Sequence, residues 1–530
     1  MGVLWHGGRV YTMVSEGDYV NSVYTDNGIV VETGDFDYLN KKFSNKISEY
    51  QNLNGKVMYP GFVDSHLHII GHGEKLLHLD LSKMNSPNEV LDALKERVQY
   101  LSDGEWLIGE GWNENQWLDP RIIHRQELDV ICPDNPLMLT RVCRHAVLAN
   151  TKALELANIT SETEDPQGGM IVRDEQGIAT GYFLDTAQEF IKDVVPDVSE
   201  DYLTKVVKTS VDDLLSLGLV GGHSEDLNYY GGFDKTWNAF HRGIDGTHIR
   251  FRAHLLVHHE VLDDMFAAGL DYKKGTEYLE LGAMKIFSDG ALGGRTAWLS
   301  EPYEDDKNNF GIPIHSVGEL EDLVVKARKR GMPVAVHAIG DQAAWSVAKV
   351  LENYPLKNGR RDRIIHAQVI NNELLELFKT INIALDIQPT FVASDFPWII
   401  DRLGEDRVKQ AYPWKTFLNN GIPCAGGSDA PIEEVDPLLG IEAAVLRRSS
   451  INGQIYNEDE QLSVFEAVSL YTRGSAYIIC QEHNRGQIAP GFTADFTILD
   501  KDLFNIPPDE ITTAQVEMTV VDEQVMYSKE

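Results

Sequence analysis

Cysteine is scarce in this chain: four residues among 530 (Cys132, Cys143, Cys424 and Cys480), with no CxxC spacing. That excludes a disulfide framework and points to a reducing, cytoplasmic compartment. Basic residues are also few, 47 Lys+Arg against 82 Asp+Glu, for a formal net charge of −35. No Lys/Arg run is available to neutralise phosphates, which argues against a nucleic-acid partner. No stretch approaches the roughly 18 uncharged apolar residues of a membrane span. The start, MGVLWHGGRVYTM, lacks the basic and apolar regions of a signal peptide, and His6 stands where myristoylation of Gly2 wants Ser or Thr. The 43% hydrophobic and 24% charged fractions suit a soluble globular enzyme and exclude collagen, rods and wholesale disorder.

Both ends of the chain read as β-structure. VLWHGGRVYTM, SVYTDNGIVVETGD and GKVMYPGFVD alternate short apolar runs with turn signals, and Asp26-Asn27-Gly28 is a hairpin turn. RGQIAPGFTADFTILD and VEMTVVDEQVMYS repeat that texture at the other end. Because termini often lie close together, residues 1–58 and 486–530 are expected to form one composite β-sandwich-like domain.

Between them lie eight apolar strand candidates: GFVDSHLH, LVGGHS, IRFRAHLLV, GAMKIFSDG, PVAVHAIG, RIIHAQVI, NIALDIQ and IPCAGGSD. Helical-period segments such as VGELEDLVVKARKRG, AAWSVAKVLENY and EDRVKQAYPWKTFLNNG separate most of them. Eight strands alternating with helices predict an α/β fold, a (β/α)8 TIM barrel over residues 59–485. A barrel unit takes about 30 residues, yet the first strand ends near His68 and the second begins near Leu219. The surplus, about 80–195, carries its own helix and strand patterns and reads as a folded α/β insertion.

Chemistry gathers at the strand ends. His66 and His68, in Asp64-Ser65-His66-Leu67-His68, are two residues apart, so both imidazoles leave one face of a strand and can grip one ion. His337, His366 and Asp429 end the fifth, sixth and eighth strand candidates, and in a barrel those ends converge on one mouth. Imidazole and carboxylate suit Zn²⁺ and related divalent ions. Lys285 shares a strand face with Ala283 and Phe287, where a buried ammonium is costly. Deprotonated, it can take up CO₂ to give a carbamate (carboxylysine) whose two oxygens bridge two ions. The plainer reading is an interior lysine paired with Asp429 or Asp289.

These residues together resemble the metal-dependent amidohydrolase superfamily, and within it the YtcJ-like subgroup (amidohydrolase family 3) that includes N-substituted formamide deformylase. The resemblance runs through PGFVDSHLH, GEGWNENQW, the Arg141–His145 stretch, GGMIVRDEQGIATG, MKIFSDGALGGRTAWLSEPY, AVHAIGDQA, IIHAQ, GGSDAPIEEVDP and GQIAPGFTADFTILD, nearly the whole chain. Two departures stand out: Asp185 in GYFLDTA where many relatives have Glu, and LVGGHSED where GVTSVHD is more usual. The resemblance implies one or two divalent ions, most simply Zn²⁺. His66, His68 and Asp429 would hold one ion, His337 and His366 the other, with the carbamate of Lys285 between them. It also implies hydrolysis of a non-peptide C–N bond, an amide or formamide, by metal-activated hydroxide. Asp429 would be the general base, and the second ion or His223 would polarise the carbonyl.

Trp112, Arg141, His145 and Arg295 are the candidate substrate contacts, an arginine being able to hold a carboxylate in bidentate fashion. Trp112 and Trp117 also read as packing residues. The implied partner is a small-molecule amide, with no nucleic acid or membrane and with a homodimer allowed. Three other readings stay open: a deaminase, an ester hydrolase on the same barrel, and a non-catalytic metal-binding regulatory protein. Family deaminases place a Glu a few residues after the fifth-strand histidine, where this chain has only Asp341.

Overall fold

A computed structural model describes residues 2–529 except 115–116, 142–145, 168, 197 and 358. All eight strand candidates of the middle form strands: Phe62–Leu67, Leu219–Ser224, Arg252–His258, Leu279–Phe287, Val334–Ala338, Asp362–His366, Ile383–Ile387 and Cys424–Gly426. They are parallel and lie side by side in chain order. The Asp429 amide donates to the His66 carbonyl at 2.7 Å, tying the end of the eighth strand to the first and bringing the sheet close to a closed barrel. Leu219–Ser224 and Arg252–His258 are buried at every position, as parallel strands covered on both faces must be.

The helices follow from local chemistry. Val317–Lys329 starts at Ser316, whose hydroxyl and the Glu319 carboxylate form a reciprocal capping box. EDRVKQAYPWKTFLNNG differs from its helical period. It breaks into Ile399–Arg407, a short 3₁₀ turn and Trp414–Asn419. The cause is Pro413, which lacks an amide donor, preceded by Tyr412 with φ +53°.

The barrel interior is not the usual stack of branched apolar side chains. Arg363, 1% exposed, donates from Nε to Asp386 at 2.7 Å and from Nη2 to the Ser65 carbonyl at 2.7 Å. Leu256, Ala283, Ala335 and Ile365 supply a small apolar layer beside it.

Contacts divide the chain into two compact units, Met1–His72 with Leu203–Glu530, and Gly73–Tyr202. Gly73–Tyr202 has its own six-stranded sheet and cores around Trp112 and Phe183. In the larger unit, strands from both ends of the chain share one eight-stranded sheet. Phe496–Leu499 runs antiparallel to Val57–Pro60, and Trp5 packs edge-on against Phe496 with centroids 5.6 Å apart. Asn27 (φ +55°) and Gly28 (φ +74°) make the tight turn between Tyr19–Asp26 and Ile29–Gly34. Among the described residues, no helix is long and apolar enough to cross a membrane.

Candidate metal centre

His66 and His68 leave the first barrel strand at its C-terminal end, and Asp429 follows the eighth. The Asp429 Oδ1 atom lies 3.6 Å from His66 Nε2 and 3.5 Å from His68 Nε2. One ligand atom from each of the three falls within 4.8 Å of the others. Backbone fit brings them together. A Cβ on Gly427 would come within 2.5 Å of the His66 amide nitrogen, so only glycine lets the eighth strand approach the first here. Asp64 clamps the same junction, accepting from the His66 amide at 2.9 Å and the Ser428 amide at 3.0 Å. Burial pushes its carboxyl up to about 7.

The other histidines stand beside this group. The ring of His366 lies 5.8 Å from that of His66 and 4.5 Å from that of His337. His366 (φ +77°) and Asp429 (φ +59°) both hold left-handed backbone conformations, a strain that clusters at functional sites.

Hydrogen bonds select the tautomers. His68 Nδ1 donates to the Glu225 carbonyl at 2.5 Å, His337 Nε2 to the Gly290 carbonyl at 3.1 Å, and His366 Nδ1 to Gln388 Oε1 at 2.7 Å. His337 and His366 thereby keep the other nitrogen lone pair for an ion, while Asp429 and Asp226 push the His68 pKa up to about 9, a proton that an ion would have to displace. His66 Nδ1 is buried without a partner.

Lys285, 1% exposed, points into the same group with Nζ 3.3 Å from His66 Nε2 and 4.5 Å from the centre of the Phe287 ring. It makes no ion pair among the described residues, so the pairing with Asp429 or Asp289 allowed by the sequence is not formed. Burial lowers its pKa, opposed by the nearby Glu225 and Asp429 carboxylates. Imidazoles, a carboxylate and a desolvated amine form a donor set that fits a divalent transition ion.

Several contributors carry no sequence signal of their own. Glu225 is fully buried, accepts from the Tyr229 hydroxyl at 2.6 Å and leaves Oε1 unpaired. Asp289 gathers the amides of Trp298, Ile339 and Gly340 at 2.8–3.0 Å beside His337. HxH spacing betrays a ligand pair, but a buried Asp or Glu that orients backbone looks like any other acidic residue.

Other sequence candidates lie apart. His223 is level in register with His254, four residues before His258, and it is His258 that is level with Lys285. Its ring packs 5.1 Å from that of His254, and the structure does not bring it to the metal ligands. Arg295 spends its fork on Asp305, at 3.1 and 2.8 Å. Arg141 does the same with Glu114, at 2.9 Å twice. Neither guanidinium is thus left open for a substrate carboxylate. His145 falls outside the described residues.

Trp112 has no exposed surface and donates from Nε1 to the Leu139 carbonyl at 3.2 Å. Trp117 packs in the same core and donates to the Met84 carbonyl at 2.9 Å. Trp112 is thus a core residue of the insertion. Trp112→Ala is expected to destabilise the insertion by about 3–5 kcal/mol, read as an earlier melting step in calorimetry, with the metal content unchanged.

The amidohydrolase family model matches residues 49–527. The chain is 52% identical over 531 residues to the protein named "Putative amidohydrolase YtcJ" of Bacillus subtilis (strain 168), covering 100% of each. It is 26% identical to N-substituted formamide deformylase of Arthrobacter pascens, covering 91% of this chain and 90% of that one. A crystal structure described as an uncharacterized metal-dependent hydrolase from Pyrococcus horikoshii OT3 superposes with a TM-score of 0.80 at 31% identity, over 96% of this chain and 99% of that one. With histidines and an aspartate converging at the barrel mouth, these likenesses show that the chain belongs to the amidohydrolase family, among the metal-dependent hydrolases of that superfamily.

Proposed function

We propose that this chain hydrolyses a non-peptide C–N bond, an amide or formamide, in a small molecule. The observation that carries the reading is the convergence of His66, His68 and Asp429 within 4.8 Å, with Lys285 pointing into the same group. A divalent ion, most simply Zn²⁺, would supply Lewis acidity there when bound. His66, His68 and Asp429 would hold one ion and His337 and His366 a second. Asp429 takes the proton of the attacking water as its oxygen bonds to the carbonyl carbon. As the C–N bond breaks, the same carboxyl returns the proton to the leaving nitrogen. No separate acid is needed.

Lys285, as a carbamate, would help hold the ions. Its neutral amine adds to CO₂, an N–C bond forms and one proton leaves, giving a carbamate with two ligand oxygens. Lys285→Ala is expected to lower metal content, with partial rescue by added formate or acetate. Elemental analysis of purified protein with and without the acid checks it, and unchanged metal content removes the carbamate role.

The Asp341 carboxylate is tied to the Ser300 amide at 2.9 Å and Asn371 Nδ2 at 3.2 Å. Its oxygens are thus engaged by Ser300 and Asn371, which supports amide hydrolysis over deamination. The likeness to a formamide deformylase supports an N-substituted formamide as the first compound to try. The site of action is proposed to be the cytoplasm. A panel of formamides, amides and amino-heterocycles tests the reading. Release of amine and carboxylate supports it, whereas release of ammonia from amino-heterocycles alone overturns it.

A further inference from the structure

Away from the barrel mouth, at the N-terminal ends of the first four strands, lies a polar cavity of about 70 Å³. Its wall includes Val63, His223, His254, Glu280, Gln481 and Arg485. A more open recess of about 510 Å³ adjoins it, sharing Arg485 and Gln487 and bounded further by Ser469 and Arg473. On the fourth strand Glu280 borders the cavity and Lys285 lies five residues on, about 16 Å along the strand. The cavity is therefore separate from the metal ligands.

The charges around these spaces do not cancel pairwise. Asp495 is paired with Arg252 at 2.6 Å, Glu466 with Lys415 at 2.6 Å and Glu482 with Arg361 at 2.5 Å, whereas Glu280 lies 3.0 Å from the ring of His254, whose pKa burial lowers. Arg485 makes no ion pair among the described residues, and its Nε is buried without a hydrogen-bond partner. Asp495, Glu280 and Glu277 act on it only at longer range. Burial also lowers its pKa to about 10, still charged at neutral pH. The wall also holds Glu277, Glu280 and Asp495, but none of them forms a direct ion pair with Arg485.

Two residues of the same wall carry an unpartnered acceptor. His223, 1% exposed, leaves Nδ1 without a partner, and Gln481 leaves Oε1 without one. Burial holds the His223 imidazole neutral, and its bond to the Ser65 backbone uses the other ring nitrogen, so Nδ1 is a bare lone pair. A charged donor fork beside two bare acceptors is complementary to an ion with anionic oxygens and an O–H. At about 10–15 Å³ per water, the space holds about five waters, or an ion of four or five non-hydrogen atoms.

We infer that this cavity binds a small hydroxylated oxyanion of the bicarbonate or hydrogen phosphate class, its oxygens on Arg485 and its O–H on His223 Nδ1 or Gln481 Oε1. Calorimetric titration of the full chain with bicarbonate and, separately, phosphate tests it, with nitrate, which has no O–H, as the control at equal ionic strength. One of the two is expected to bind once per chain, nitrate at least about tenfold more weakly. Arg485→Gln should weaken binding about tenfold or more, and Arg485→Lys less, as for loss of a bidentate contact. If Arg485→Gln fails to fold, crystals of the unaltered protein soaked in arsenate should show an anomalous peak within hydrogen-bonding reach of Arg485. Binding of neither ion, equal binding of nitrate, binding unchanged in a folded Arg485→Gln protein, or only water in the arsenate-soaked cavity overturns the inference.

Discussion

Replacing Asp429 by Asn is expected to keep much of the bound metal while lowering kcat by a factor of about 10² or more. The carboxamide keeps an oxygen near the spot where Asp429 Oδ1 now lies, 3.5 Å from His68 Nε2 and 3.6 Å from His66 Nε2. It cannot accept a proton from water and hand it to a leaving nitrogen. The substitution is also structurally mild. Asp429 has φ +59°, a left-handed conformation that asparagine tolerates better than most residues, and its backbone amide still reaches the His66 carbonyl. Metal content and turnover of one amide, measured on the same preparation, separate the two roles. A variant with full turnover would remove Asp429 as the base, and loss of metal would make it chiefly a ligand.

His66→Ala is expected to remove the metal and, with it, detectable turnover. His66 is 1% exposed, and its Nε2 faces Asp429 and Lys285. Losing a mere supporting partner of a ligand costs about 10–100-fold in affinity, so loss of the ligand itself should cost at least that. The barrel should persist, because its strand ladder and its Arg363–Asp386 pair lie below the mouth. Elemental analysis alongside circular dichroism checks both halves. Retained metal in a folded variant would show that His66 is not a ligand.

What the sequence made legible follows from what periodic patterns can carry. Parallel barrel strands are buried on both faces, so LVGGHS and RIIHAQVI read as unbroken apolar runs ending in polar residues. Polar residues at such strand ends are why His66, His68, His366 and Asp429 stood out in the sequence, but so did His223 at the end of LVGGHS, which lies apart from them. Sequence position says nothing about whether a side chain is already spoken for. Arg141 and Arg295 looked like carboxylate clamps, but Glu114 and Asp305 occupy their forks. His223 was legible as a strand residue but not as one facing His254, because depth along a barrel strand depends on the stagger between neighbours. Tyr412-Pro413 could have warned of the broken helix, since proline disfavours helix in the residue before it.

The sheet built from both ends of the chain bears on how the protein is made. Val57–Pro60, buried throughout, gains its outer neighbour only from Phe496–Leu499, and the Phe62 amide finds the Thr497 hydroxyl 435 residues away. At ribosomal speeds of about 5–20 residues per second, the early strand waits roughly 20–90 s for that partner to be synthesised. Throughout that interval it presents an apolar, unpaired edge, the template on which stray strands aggregate. The barrel can therefore be clasped only after Phe496–Leu499 has emerged from the ribosome, and until then shielding of that early edge would guard against aggregation.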